Sequence, residues 1–411
     1  MNCSFGLFQR FGVELEYMIV DAETLDVLPA SDRILQAVAG LGASDAEVDD
    51  LTWSNELVLH VIELKTREPA ARLDGLNKTF HDGVQRINAI LAPIGGRLLP
   101  TGMHPWMDPL RETRLWPHAG NEVYEAFDRI FGCRGHGWSN VQAAHLNLPF
   151  SDDDEFGRLH AAIRLVLPIL PALAASTPIA GGLVTGLLDT RLEHYRRNCA
   201  SVPSLTGEVV PEPVYTRADY ESRILARLYD DVALYDPDEV LRYEWLNARG
   251  AIARFVRNTI EIRVLDVQEC PSADLVVLEI IVRTLRALIE QRWCDVEFQK
   301  RQPTQTLADV LRRTVREADR AVVAEENLLR AFGLAPSTPV TAGELWRGIV
   351  ERIYDANDSA TAPAALRTIL SFGPLARRIL MAVGDDGRRE RLHEVYRELA
   401  RCLNDDRVFV P

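Results

Sequence analysis

Apolar and polar residues alternate in four short stretches of this 411-residue chain and recur at helical spacing over most of the rest. The alternating stretches are Phe11–Val20, Leu57–Leu64, Val141–Leu148 and Ile260–Val267. A period of two predicts strands with one buried face. Leu73, Leu76, Phe80, Val84, Ile87 and Leu91 recur every three or four residues, which predicts a helix over 73–91. Residues 100–140 are rich in Gly, Pro, Trp and His and read as loops around one helix near 121–131. Residues 155–198 read as helical, 199–217 as a Pro-rich loop, and Ser272–Trp293 as a long apolar helix. From about 304 onward the pattern is amphipathic helix throughout, at 306–332, 342–354, 363–382 and 386–404. The expected class is α+β, with an antiparallel or mixed sheet in residues 1–300 and a helical C-terminal region, 301–411, packed on the same domain.

One segment needs a separate argument. Leu165–Leu188 runs for 24 residues without a charge, long enough to span a bilayer. It also holds Pro168, Pro171, Pro178, Gly181, Gly182 and Gly186, and Ser176-Thr177-Pro178 reads as a helix start. Two buried helical pieces are therefore expected there, and no membrane span.

Composition narrows the function classes. Hydrophobic residues make up 47% and charged residues 26%, the balance of a globular chain rather than a disordered one. The net charge of −14 argues against nucleic-acid binding, which needs a basic surface for phosphates. Lys65, Lys78 and Lys300 are the only lysines beside 43 arginines, and none sits in a Walker loop. Any phosphate contacts are thus expected from arginine or metal. The six cysteines (Cys3, Cys133, Cys199, Cys270, Cys294 and Cys402) form no zinc spacing and no disulfide framework. With no signal-peptide pattern at the N-terminus, a reducing cytoplasm is the expected compartment.

Ionisable residues cluster on the strand candidates. In Phe11-Gly12-Val13-Glu14-Leu15-Glu16-Tyr17, Glu14 and Glu16 share one face and Val13, Leu15 and Tyr17 the other. Adjacent carboxylates repel and hold protons unless a cation neutralises them. Glu56 and Glu63 add two more, but seven residues apart, so a regular strand would point them to opposite faces. They converge only if Glu56 lies in a turn before the strand, or if a bulge intervenes. His145 and Asn147 share a face in the third stretch, as do Glu261 and Arg263 in the fourth. Each pattern alone has a plainer explanation: solvated strand faces, a hydrogen-bonded histidine, a surface ion pair. Together they offer five carboxylates, an imidazole and a guanidinium, a hard-oxygen set suited to Mg²⁺ or Mn²⁺.

These stretches resemble those of carboxylate–amine ligases in the glutamate–cysteine ligase and glutamine synthetase superfamily, most nearly the second bacterial glutamate–cysteine ligase family. The resemblance is carried by FGVELEY (11–17), NELVLHVIELKT (55–66), TGMHPW (101–106), VQAAHLNLPF (141–150), DTRLEHYRRNCASVPSLTG (189–207), EWLNARGAIARF (244–255) and NTIEIRVLDVQECPSADLVVLE (258–279). It covers about residues 11–280 and leaves the C-terminal helices without motif support. Two stretches depart from the pattern: Gly102-Met103-His104-Pro105-Trp106, and His145-Leu146-Asn147, which is closer to the first glutamate–cysteine ligase family. Both fall near where substrate would bind, so the resemblance does not fix the amino acid.

The resemblance implies a curved antiparallel sheet whose concave face holds metals, ATP and an amino-acid substrate. It implies one metal on Glu14, His145 and Glu261, bridging the ATP phosphates, and a second on Glu16, Glu56 and Glu63. It puts Glu56 just before its strand, Arg263 at the transferred phosphoryl group, and Arg249 and Arg254 on ATP. Arg191 and Tyr195 fall where the family places substrate-facing residues, and Asn147 joins them on the metal-bearing face. Glu63, Glu261 and Arg263 carry the catalytic roles in this scheme. The implied reaction is two-step: a carboxylate takes the γ-phosphoryl group of ATP, then an amine displaces phosphate to form an amide. Two rivals remain: a kinase on the same scaffold, and a non-catalytic nucleotide-binding relative. The helical tail is a plausible contact surface for a homodimer, the state common in the family.

Overall fold

The computed structural model describes residues 5–334, 339–354, 363–384 and 387–411. Cys3 and Asp386, the first residue of the last expected helix, lie outside them. Eight strands form one antiparallel sheet: β1 (Gly12–Asp21), β2 (Asp45–Val48), β3 (Leu51–Asn55), β4 (Val61–Thr66), β5 (Gly96–Leu99), β6 (Ala143–Pro149), β9 (Ala251–Arg254) and β10 (Thr259–Asp266). Two-residue ribbons account for β7 (Ile179–Ala180) with β8 (Leu183–Val184) and for β11 (Val322–Val323) with β12 (Val340–Thr341). The sheet order is β2-β3-β4-β1-β6-β10-β9, with β5 pairing the C-terminal half of β1. The ten-residue β1 is the spine, flanked by β4 on one side and β6 on the other.

The alternation sorts the two faces. Val13, Leu15, Tyr17 and Ile19 of β1 share the core with Ile62, Leu64, Leu146, Leu148, Ile260 and Ile262, all buried. Helices Leu76–Leu91 and Pro271–Ile289 belong to the same core and touch each other. The second begins at Pro271, where a missing N–H costs nothing, and its length is buried almost throughout.

The expected helices need three corrections. Ser176-Thr177-Pro178 starts no helix: a single turn at Pro171–Ala174 gives way to the β7–β8 ribbon, whose Gly181-Gly182 turn has positive φ at both residues. These are conformations glycine adopts freely. Residues 306–332 are not one helix but Thr304–Glu317 and Glu326–Ala331, separated by β11. The stretch 363–382 breaks at Gly373-Pro374 into Ala364–Phe372 and Leu375–Val383, since proline cannot continue the first helix.

The C-terminal helices lie on the sheet-bearing part. Trp346 Nε1 donates to the Ile169 carbonyl at 2.8 Å, and Arg97 Nη2 donates to that of Ala400 at 2.7 Å. Arg378 and Glu269 form an ion pair with neither side chain exposed. No described helix is long and apolar enough to cross a membrane. The five described cysteines are unpaired.

Candidate active site

Direct pairs in an antiparallel sheet share a face, so the register assembles the polar face row by row. Glu14 stands between Lys65 of β4 and His145 of β6. In the next row Glu16 faces Glu63, which faces Ser54. In the row on the other side Gly12 faces Asn147, which faces Glu261. A Cβ at Gly12 would lie 2.9 Å from Asn147 Cβ, so glycine keeps Asn147 seated. The parity conflict of Glu56 resolves through the turn: strand pairing stops at Asn55, and Glu56 opens the link to β4. The expected single strand 57–64 is thus a link followed by Val61–Thr66.

A bulge in β10 makes a contribution that regular alternation hides. Ile262 pairs with Leu146 but Leu265 with Ala144, so one extra residue enters β10. The adjacent apolar pair Val264-Leu265 is the visible trace of it. The phase change brings Asp266 to the face that carries Glu261. Asp266 accepts Arg191 Nε at 2.5 Å, the Ser176 N–H at 2.7 Å and Thr177 Oγ1 at 3.0 Å. A Cβ at Gly102 would meet Asp266 at 2.7 Å, which explains the glycine in TGMHPW. Arg191 and Tyr195 lie one turn apart on helix Thr190–Arg197, capped by Asp189, and so project together.

The carboxylates are packed more tightly than their charge tolerates without a cation. His145 is wedged between Glu14 Oε2 (3.0 Å from Nδ1) and Glu16 Oε1 (3.8 Å from Nε2). Burial opposes its charge, but the Glu14 hydrogen bond and the neighbouring carboxylates win and push its pKa up to about 9. Burial likewise works against ionised Glu14, but the His145 bond holds its carboxyl below the usual range. Glu16, Glu56 and Glu63 go the other way. Burial raises all three, with Glu16 also pressing on Glu56 and Glu14 on Glu63. Groups this reluctant to ionise are what a divalent cation would deprotonate.

Among the described residues two ligand groups emerge, each with donor atoms within 4.8 Å of one another: Glu14, Glu63 and His145, and Glu16, Glu56 and Glu63. Glu63 belongs to both. Glu261, expected on a metal with Glu14 and His145, lies near enough for its charge to act on both and pairs with Arg254 Nη1 and Arg263 Nε, each at 3.0 Å. Those arginines keep its carboxyl low despite burial. The oxygen-rich set with one imidazole fits Mg²⁺ or Mn²⁺, and the buried Asn147 Oδ1, which has no partner, adds a hard acceptor beside Glu14.

Two cavities of similar size flank this ridge. One, of about 490 Å³, is lined by Glu16, Glu56, His145, Arg191, Tyr195 and Arg263, and by an aromatic wall. The other, of about 510 Å³, is lined by Glu14, Asn147 and four cations: Arg10, Lys65, Arg67 and Arg257. Asn147, grouped by sequence with Arg191 and Tyr195, therefore lies on the opposite side of the ridge. Arg249, expected on phosphate, lines neither cavity. Its guanidinium is bidentate on Glu212 (2.5 and 2.6 Å) and bonded to the Ser204 carbonyl and Asn247, which commits four of its five N–H groups. Arg254 is likewise held by Glu261 and lines neither cavity. Sequence reasoning missed Lys65, whose Nζ is 2.8 Å from Glu63 Oε2 and 3.0 Å from Ser54 Oγ. Strand parity carried the signal, since Lys65 sits two residues past Glu63.

The fold that carries this site is shared with a solved ligase. The solved glutamate–cysteine ligase of Francisella tularensis, in complex with AMP, superimposes with a TM-score of 0.64 over 98% of this chain and 90% of that one, at 12% identity. That similarity speaks for the fold. The model of glutamate–cysteine ligase family 2 matches residues 10–398, and the chain belongs to that family of ligases. An uncharacterized protein of Archaeoglobus fulgidus is 32% identical over 97% of this chain and all of its own length. A putative glutamate–cysteine ligase 2 of Salinispora arenicola is 26% identical over 71% of this chain and 68% of its own.

Proposed function

We propose that the chain is an ATP-dependent carboxylate–amine ligase working through an acyl phosphate, with glutamate or a related amino acid as the carboxylate donor. The observation that carries this reading is the position of Glu63, shared by two ligand groups on a ridge with a basic cavity on one side and an acidic, aromatic one on the other. The four cations of the first cavity suit the triphosphate, and the AMP complex of the Francisella ligase agrees with a nucleotide site on this fold. Arg191 keeps one buried donor, Nη2, without a partner in the second cavity, which suits a substrate carboxylate.

Bound Mg²⁺ would supply neutralisation of the phosphate charge, held by Glu14, Glu16, Glu56, Glu63 and His145. The protein's own groups orient the reactants. Arg263 stays protonated, because Glu261 outweighs the cost of burying it, and it faces the cavity where donor meets phosphate. The donor carboxylate attacks the γ-phosphorus and ADP leaves. An amine nitrogen then bonds to the acyl carbon, the carbon–oxygen bond to phosphate breaks, and the amine gives up a proton. The protein need supply no covalent nucleophile; positioning and charge stabilisation carry the rate. The test is ADP release with a panel of amino-acid carboxylates and mass spectrometry of the product. An amide with ADP in equal amount is expected; a stable phosphorylated carboxylate would contradict the reading.

A further inference from the structure

Three lysines stand against 43 arginines in this chain. Lys78 and Lys300 lie on helices and pair with Asp82 and Glu297 within a turn. Lys65 is placed differently. It stands on β4 in the row of Glu14, and its ammonium reaches back to Glu63, two residues earlier on the same face. Its Nζ donates to Glu63 Oε2 at 2.8 Å and to Ser54 Oγ at 3.0 Å, while the Ser54 hydroxyl donates to the same Oε2 at 2.6 Å. The arginine bias of the chain does not account for a lysine here. A guanidinium would grip Glu63 with a fixed fork; an ammonium is a point charge on a flexible stem and can change partners.

Among the described residues, the cations that pair with Glu14, Glu16 and Glu63 are His145 and Lys65. His145 belongs to a ligand group itself. Lys65 cannot, since an ammonium has three donors and no acceptor. It also holds the one carboxylate that both ligand groups share. Serving two cations either draws on both oxygens of Glu63 or crowds one of them, and in both cases an ammonium left on Oε2 faces a divalent charge at close range. Its way out is open. The side chain is 36% exposed, against 7% for Glu63, and it lines the basic cavity with Arg10, Arg67 and Arg257. We propose that Lys65 is the counter-ion of Glu63 in the metal-free protein and a catalytic residue in the loaded one. It gives up Glu63 when a divalent cation binds and turns its ammonium to the triphosphate in the basic cavity, so that metal loading and phosphate contact become one event. The second half of this proposal rests on the ligase reading above.

The experiment separates the halves. Mn²⁺ binding to the full-length, metal-free protein is measured by calorimetry, without nucleotide and in mildly alkaline buffer, for wild type, Lys65→Met and Lys65→Arg. Lys65→Met removes the competitor for Glu63 and should bind Mn²⁺ about tenfold more tightly than wild type. Lys65→Arg keeps a cation on Glu63 and should bind it no more tightly than wild type. In turnover with Mg·ATP, Lys65→Met should lose instead, with the KM for ATP up about tenfold and kcat down about tenfold. Responses of opposite sign to metal and to nucleotide are the signature, because a lysine that merely braces the strand would weaken both when removed. Mn²⁺ binding unchanged or weakened in Lys65→Met, or tightened equally in Lys65→Arg, would overturn the counter-ion role. Tighter Mn²⁺ binding with the KM for ATP and kcat unchanged would overturn the catalytic role. A wild type that releases no ADP with any amino-acid donor would overturn the ligase reading, and the calorimetry without nucleotide would still decide whether Lys65 competes for Glu63.

Discussion

The two cavities share one ridge of carboxylates and differ in almost everything else. The cavity beside Glu14 and Lys65 is lined by four cations and no aromatic wall, apart from Phe5 at its edge. The cavity beside Glu16 and Arg191 combines a buried and a half-buried glutamate, Glu16 and Glu56, with five aromatic side chains. The difference follows from the sheet. Successive rows on β1 point Glu14 toward Lys65 and Glu16 toward Glu63, so residues two apart on one strand serve different ligands. A ligase needs that division: one side handles a polyanion, the other an organic substrate, and the reacting atoms meet between them.

The comparison breaks most completely at Glu63, which serves both sides. Glu63→Gln should lower turnover by about a hundredfold or more, since it alters both ligand groups at once. Retained folding by circular dichroism with turnover near that of the wild type would remove the shared ridge from the account. One side alone is addressed by Arg257→Ala. It should raise the KM for ATP about tenfold with the donor KM unchanged, because the cation lines only the basic cavity. A matching rise in the donor KM would dissolve the distinction between the cavities.

Arg249 sharpens the comparison from outside. The A-R-x-x-x-x-R-F stretch suggested phosphate contacts, yet the side chain is committed to Glu212. Arg249→Met should therefore cost about 2 kcal/mol of stability, moderated by the partial exposure of Glu212, and leave the KM for ATP alone. Thermal melting and steady-state kinetics on one preparation decide it.

The smallest expected effect is a pH dependence of the metal-free protein. His145 is raised from 6.5 to about 9 in the folded state, so its contribution to stability is complete below pH 6.5 and is lost as pH rises through about 9. The raised carboxyls of Glu16, Glu56 and Glu63 act in the same direction above their ordinary value of 4.5. The melting temperature without metal should fall between pH 6.5 and 9, and Mg²⁺ should restore it increasingly with pH as ligands give up protons. A profile that is flat without metal would place His145 and the glutamates in a less crowded arrangement.

The legible part of the molecule was the part governed by period two. Glu14, Glu16, His145, Asn147, Glu261 and Arg263 were placed on their strands because apolar neighbours at odd or even positions had to face the core. Glu56 was legible only as a conflict, which the turn after Asn55 resolves. Asp266 was hidden because the bulge shifts the phase after Ile262. The partners of Arg249 and Glu261 were hidden for one reason: a charged residue in a motif can pair with a nearby opposite charge, and only the three-dimensional neighbours (Glu212 here, Arg254 and Arg263 there) reveal it. Helix breaks at Gly373-Pro374 and at β11 lay in stretches whose amphipathic pattern continues across the interruption.

The most direct test of the shared-ridge account is trapping with hydroxylamine at saturating Mg·ATP, measured on wild type and Glu63→Gln across amino-acid donors. The account predicts hydroxamate and ADP in equal amounts from the wild type with at least one donor, and both formed at least about a hundredfold more slowly by the variant. ADP release without hydroxamate, or hydroxamate from Glu63→Gln at the wild-type rate, would contradict it.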